Sequence, residues 1–232
     1  MNSISENIEI INQRIQQAAK KSGRSSKSIH LIAVSKTKPN AAIIEALNVG
    51  QIHFGENRMQ ELKTKMKTIN NPKIQWHMIG GIQSNKIKYI TSHVHWIQSI
   101  DKTKYISEVN KRAEQECRTI NLLIQVNISD ENQKNGCKPA ELEEILDFAR
   151  SCSSINVKGL MGMATFSSTP ESIRWEFALL KSTFDKHIHL NGGNIQLSEL
   201  SMGMSNDFEI AIEEGATMVR VGSAIFGARN YG

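Results

Sequence analysis

Eight short apolar, β-rich runs alternate with amphipathic segments along the chain, and this alternation constrains the fold more than any other feature. The runs are His30–Ser35, Gln51–Phe54, Ile74–Ile79, Trp96–Ser99, Leu122–Asn127, Val157–Gly162, Ile195–Leu200 and Met218–Gly222. Helical patterns fill the gaps at Asn40–Val49, Asn57–Ile69, Ser84–Ile90, Lys102–Cys117, Pro139–Cys152, Pro170–His187 and Asn206–Glu213. Pro139 and Pro170 stand where a first helical turn tolerates proline. A strand-then-helix order repeated in this way calls for a parallel sheet covered by helices. Closed on itself, it is a single (β/α)8 TIM barrel over residues 1–232. An additional N-terminal helix carries Ile8, Ile11, Ile15 and Ala18 at helical spacing. An open doubly wound sheet is less favoured, because no G-x-G-x-x-G turn follows the first run. The last strand ends close to Gly232, so no second domain is expected.

Composition narrows the setting. No apolar stretch is long enough to span a bilayer, and the polar segment Met1–Arg24 has no signal-like apolar core, so no membrane association is expected. Cys117, Cys137 and Cys152 match neither a disulfide framework nor a zinc pattern, which fits a cytoplasmic location and no metal. The net charge is +5, with Lys63, Lys65 and Lys67 clustered. Leu62, Met66 and Ile69 interleave that cluster at helical spacing and aromatic residues are sparse there, so a solvated helix face is expected and nucleic acid is not. Small anions would gain from the positive field.

Chemistry in such barrels gathers at the C-terminal ends of the strands. Lys36 ends the first run and is followed by Thr37-Lys38-Pro39. Partial desolvation and a like charge at Lys38 would favour its neutral amine, the form that attacks a carbonyl to make a Schiff base. If the strand runs on, Lys36 and Lys38 share a face. A lysine that merely ends a strand and reaches water is the competing reading. Gly55-Glu56-Asn57 follows the second run, and Trp76-His77 with Gly80-Gly81 marks the third. Ser201-Met202-Gly203-Met204-Ser205 follows the seventh, and Arg220, Gly222 and Ser223 belong to the eighth.

The loops after strands seven and eight are the usual phosphate seat of this architecture. Gly203 and Gly222 would let the backbone approach an anion, and Ser201, Ser205 and Ser223 could donate hydroxyls. Ser205 or Asn206 capping the next helix is compatible with that role. Arg220 interrupts an apolar strand and needs a partner, since burying a bare charge is costly. A structural carboxylate such as Glu56 is slightly favoured on the strand pattern alone; a ligand ring nitrogen or a phosphate is the alternative. An amine, a phosphate cradle and an arginine together suit pyridoxal 5'-phosphate (PLP), which has an aldehyde, a phosphate and a pyridine nitrogen. An arginine cannot accept the pyridine proton, so it favours the unprotonated ring and a weaker electron sink.

The stretches AVSKTKP around Lys36, HFGENRMQEL at 53–62, WHMIGGIQSNK at 76–86, LIQVN at 123–127, KGLMGM at 158–163, LSMGMSND at 200–207 and VRVGSAIFGAR at 219–229 resemble the pyridoxal phosphate homeostasis protein family over nearly the whole chain. The resemblance implies a barrel like the alanine racemase N-terminal domain, with PLP held as a Schiff base on Lys36. It implies that Asn57 lies near the cofactor, that Arg220 faces the pyridine nitrogen, and that Ser201, Gly222 and Ser223 bind phosphate with backbone help from Met202 and Gly203. Lys38 and Lys134 match basic residues near the site. Gly81 stands where the family often has histidine, so no role of that histidine transfers. For His77, a histidine satisfied inside a strand is at least as good a reading as a ligand contact.

The implied function is intracellular PLP homeostasis, with the cofactor buffered or delivered and no established turnover; PLP-dependent apo-enzymes are the candidate recipients. The alternative is a slow PLP-dependent amino-acid racemase or lyase. Racemisation needs an acid–base group on each face of the substrate carbon. Lys36 could serve one face, but none of Tyr89, Tyr105 and Tyr231 occupies a strand end in this assignment. The expectation is therefore a monomeric carrier and not an enzyme.

Overall fold

In a computed structural model of the chain, residues 2–129, 135–165 and 169–227 are described. Eight parallel strands close into a barrel in sequential order: β1 (His30–Val34), β2 (His53–Glu56), β3 (Gln75–Met78), β4 (Trp96–Ile100), β5 (Ile120–Gln125), β6 (Ile155–Met161), β7 (Ile195–Ser201) and β8 (Met218–Val221). The seam joins β8 to β1 in parallel, with Ile32 level with Arg220 and Ala33 with Val221. The (β/α)8 expectation is met.

The helices are α1 (Ile4–Lys21), α2 (Asn40–Asn48), α3 (Met59–Ile69), α4 (Ser84–Ile87), α5 (Thr103–Gln115), α6 (Leu142–Arg150), α7 (Pro170–His187), α8 (Phe208–Glu213) and α9 (Ser223–Phe226). Ser3 and Glu6 form a reciprocal capping box that starts α1. Its buried stripe contains Ile8, Ile11, Ile15 and Ala18, as the spacing predicts, and it packs on α2, α8 and α9. Pro170 opens α7 behind Thr169, whose hydroxyl accepts from the Ser172 amide.

Alternation divides the strand residues between two cores. Leu31, Ala33, Phe54, Trp76, Met78, Ile97, Val219 and Val221 join the buried helix faces in one continuous outer cluster. Ile32, Leu123, Met161 and Met218 form a smaller separate cluster, with Trp96 and Met163 packed against it. Strand β2 lies further along than the apolar pattern implies, at His53–Glu56 instead of Gln51–Phe54. The buried Gln51 side chain donates to the carbonyls of Leu31 and His53 and so belongs to the connection. Gly55, expected just after the second run, is a strand residue: a Cβ there would meet Ile32 and Ile79 at 3.1 Å, so the crowded barrel axis favours glycine. The α4 helix ends at Ile87, sooner than the predicted Ile90.

Polar side chains fill part of the barrel. His53 Nδ1 lies 3.0 Å from His77 Nε2, and His77 stacks on Trp96 at 5.5 Å. Burial, followed by the neighbouring His30 and His95, lowers the His53 pKa to about 4 from its ordinary 6.5. Burial holds the fully enclosed His77 well below its ordinary value too. In the unfolded chain these rings take up protons near pH 6.5, whereas the folded rings stay neutral. Between the two values the unfolded state binds more protons, so stability complete above pH 6.5 is lost as pH falls towards 4. Between about pH 7 and about pH 4.5, the unfolding free energy from urea titration should therefore drop more for wild type than for His53→Gln, by roughly 1–2 kcal/mol after allowance for the partial exposure of His53.

Candidate functional site

A cavity of about 860 Å³ opens at the C-terminal mouth of the barrel. Val34 and Lys36 reach it from the end of β1, Asn57 from β2, and Ile79, Gly80 and Gly81 from β3. Gln125, Met163–Thr165, Met204–Asp207 and Gly222–Ser223 come from the ends of β5, β6, β7 and β8. Of the sequence-predicted residues, Lys36, Asn57, Arg220, Gly222 and Ser223 line it together, along with Lys38 and Ser205. Ser201 and Met202 are fully buried and, like Gly203, do not line it. His77 is also buried and away from the lining, in keeping with a histidine satisfied inside the barrel. Lys134 and Tyr231 lie outside the described residues. Tyr89 and Tyr105 are not on the wall.

Lys36 is placed by an ion network behind it. The strand stops at Val34, and Thr37 takes a left-handed φ of 64°, so the two-residue periodicity linking Lys36 to Lys38 does not operate. The Thr37 amide donates to Glu61 Oε1 at 2.6 Å, which holds this unusual turn. Buried Lys65 Nζ reaches the Ser35 carbonyl at 2.7 Å, Glu56 Oε1 at 2.8 Å and Glu61 Oε1 at 2.7 Å. Ser35 Oγ donates to Glu56 Oε1 at 2.6 Å. Lys65 thus clamps the residue before Lys36 and the carboxylate that holds the residue after it. Lys38 Nζ donates to the carbonyls of Phe226 and Gly227 and ties the C-terminal end of α9 to the same turn.

The predicted pairing of Arg220 with Glu56 does not occur. Glu56 is taken by Lys65 and Ser35, whereas Gly55, its neighbour in β2, contacts Ile32 in the inner cluster. Adjacent strand residues point to opposite faces, so Glu56 turns outward to α3. Burial raises the Glu56 pKa, outweighing the attraction of Lys65 and the hydrogen bonds from Lys65 and Ser35. Arg220 instead donates from Nη1 to Ser201 Oγ at 2.6 Å and from Nη2 to the Gly162 carbonyl at 2.9 Å. Burial lowers its pKa to about 10, partly offset by Asp207, and it remains a cation at neutral pH. Asp207, on the wall, accepts from the Met204 amide, and burial raises its pKa.

At the ends of β7 and β8, Ser205 Oγ stands 3.3 Å from both the Gly222 amide and Ser223 Oγ. A Cβ on Gly222 would meet the Val34 carbonyl at 3.2 Å and Val34 Cβ at 3.3 Å, so the close approach of β8 to β1 favours glycine. Gly203, at φ 89°, has no room for a Cβ, which would lie 2.5 Å from Ala211 and 2.9 Å from Phe208 Cα. This packing seats α8 beside the Met204–Asp207 wall. The sequence pattern singles out neither Asp207 nor Gln98, and it places Lys65 on a solvated helix face. Its place at Glu61 plus four, on the stripe of Leu62 and Met66, was the available signal. Among the described residues no group of three or more His, Cys, Asp or Glu could hold a metal ion, and no helix is long and apolar enough to cross a membrane.

The barrel, with a lysine after β1 and an arginine inside β8, matches the family described as alanine racemase, N-terminal domain, over residues 3–230. A protein of Vibrio alginolyticus named pyridoxal phosphate homeostasis protein is 41% identical over 238 residues, covering all of both chains. One of the same name from Escherichia coli K12 is 39% identical, covering all of this chain and 99% of its own. PipY of Synechococcus elongatus PCC7942, solved with PLP bound, is 33% identical with a TM-score of 0.82, covering 97% of this chain and all of its own. The chain belongs to the pyridoxal phosphate homeostasis protein family. Clostridium difficile alanine racemase, at 11% identity and a TM-score of 0.69, shares the fold over 57% of its length.

Removing the Lys65 ammonium would strand a buried carboxylate. Lys65→Met should destabilise the fold by about 3–5 kcal/mol in denaturant titration. Lys65→Met combined with Glu56→Gln should recover a large part of that loss. Equal destabilisation in the single and double variants would show that the ion pair is not its source.

Proposed function

We propose that the cavity binds PLP reversibly, with Lys36 as its covalent attachment point, and that the protein buffers or delivers the cofactor. The observation that carries this reading is the convergence on one cavity of Lys36, the buried Arg220 cation and the Ser205–Gly222–Ser223 wall. The bound-PLP structure of PipY and the names of the full-length relatives support it.

The residues fit the cofactor chemically. PLP supplies an aldehyde that condenses with a primary amine and releases one water. Lys36 supplies the amine. Gly222, Ser223 and Ser205 present an amide and hydroxyls for the phosphate, and Asn57 presents an amide side chain at the rim. Arg220 has donors beyond the two committed to Ser201 and Gly162, which suits an acceptor ring nitrogen. Ser201, Met202 and Gly203 act beneath the wall: Ser201 holds Arg220, the Met202 amide bonds to the Met218 carbonyl, and the Gly203 carbonyl accepts from the Arg220 amide.

A carrier without turnover is the favoured form of this function. Neither Tyr89 nor Tyr105 lies across the cavity from Lys36, and an arginine at the ring nitrogen weakens carbanion stabilisation. Action as a monomer in the cytoplasm and transfer to PLP-dependent apo-enzymes belong to the same proposal. Purified protein incubated with PLP should be yellow. Borohydride reduction followed by peptide mass mapping should place the adduct on Lys36, and Lys36→Ala should lose the colour. An adduct elsewhere, or a protein that stays colourless, would remove the basis of the proposal. Lys36-dependent exchange of amino-acid α-protons in deuterated water over many turnovers would favour the slow racemase or lyase.

A further inference from the structure

Beneath the cavity, a single file of hydrogen bonds runs down the barrel from Arg220. Arg220 Nη1 reaches Ser201 Oγ at 2.6 Å, and Ser201 Oγ reaches Gln98 Oε1 at 2.7 Å. Gln98 Nε2 lies 2.9 Å from His77 Nδ1, and His77 Nε2 lies 3.0 Å from His53 Nδ1. Ser201, Gln98 and His77 are buried, and Arg220 is 4% exposed.

Arg220 sets the polarity of the whole file. A guanidinium can only donate, so Ser201 must accept from it and send its own proton to Gln98 Oε1. That turns the Gln98 amide nitrogen towards His77, making His77 Nδ1 an acceptor. The only proton left to a neutral His77 is then on Nε2, where it donates to His53 Nδ1. A protonated His77 would oppose one N–H to another and break the file. Its complete burial disfavours that charge as well.

We propose that Gln98 and His77 are positioning residues for the cofactor ring. Through Ser201 they fix the plane of the Arg220 guanidinium, and with it the donor offered to the ring nitrogen. This inference rests on the PLP reading of the cavity for its ligand but not for its hydrogen-bond order. Neither residue lines the cavity, so a change in the spectrum of the bound cofactor on their substitution would have to pass through Arg220.

The order can be read first in the cofactor-free full chain. Long-range nitrogen–proton correlation spectra should show His77 as the Nε2–H tautomer, and an Nδ1–H tautomer would overturn the proposal. With PLP added, the ring-nitrogen resonance of isotopically labelled cofactor and the visible band should both move in Gln98→Leu and His77→Leu, with retention of PLP weakened about tenfold. Asparagine can place an acceptor near the position of His77 Nδ1, so His77→Asn should return both signals towards wild type. Wild-type signals in both leucine variants would overturn the proposal. If the leucine variants do not fold, the wild-type tautomer and the His77→Asn spectrum decide it. Failure to trap an adduct on wild-type Lys36 would sink the PLP reading instead, leaving the tautomer test of the hydrogen-bond order intact.

Discussion

Closure of the barrel at the β1–β8 seam is the constraint on which the rest of the structure depends. Residues at opposite ends of the sequence become neighbours there, with Ile32 level with Arg220 and Ala33 with Val221. Lys36 leaves the end of one strand, while Arg220 and Gly222 lie on and just beyond the other. A Cβ on Gly222 would crowd Val34, so the close approach of the two strands favours glycine there. An amine, a cation and the Ser205–Gly222–Ser223 wall therefore share one cavity as a result of ring closure.

The same closure fixes which side chains meet. Strand parity turns Gly55 towards Ile32 inside the barrel and Glu56 outward to Lys65. The outward network gains little net stability, because burial works against the charges it contains. What it provides is position: one ammonium contacts the Ser35 carbonyl, Glu56 and Glu61, and Glu61 also holds the strained Thr37 turn. The lysine proposed to react is thus carried by a segment fastened on both sides.

Much of this was legible in the sequence. The alternation of strand and helix patterns, the stripe of α1 and the cluster of Lys36, Asn57, Arg220, Gly222 and Ser223 needed only periodicity and the habits of barrel mouths. What failed was partner choice. The strand pattern slightly favours a carboxylate such as Glu56 for Arg220 over a ligand, but the actual strand bounds put the two on different faces. Lys65 looked like a solvated charge because composition does not reveal which lysine of a basic helix faces in. Gln98 carries no signal in the sequence and His77 only that of a strand histidine, since their connection to Arg220 crosses several strands and appears only once the barrel is closed.

Among the described residues, the deeply buried cations Lys65 and Arg220 are handled in opposite ways, and the contrast bears on what the cavity can bind. Lys65 is surrounded by carboxylates, so its charge is cancelled locally in the outer layer. Arg220 rests on a hydroxyl and a carbonyl, which satisfy donors without supplying negative charge. Asp207 is the carboxylate that influences it most, yet Asp207 is occupied with the Met204 amide and its own pKa is raised by burial. A neutral bed keeps the guanidinium oriented, and its charge is offset only in part, by Asp207. Had Glu56 faced inward, the pair would have been self-contained and Arg220 would have added far less to the cavity's attraction for an anion. The outward turn of one carboxylate, set by strand parity, is therefore part of what fits this barrel for a phosphorylated ligand.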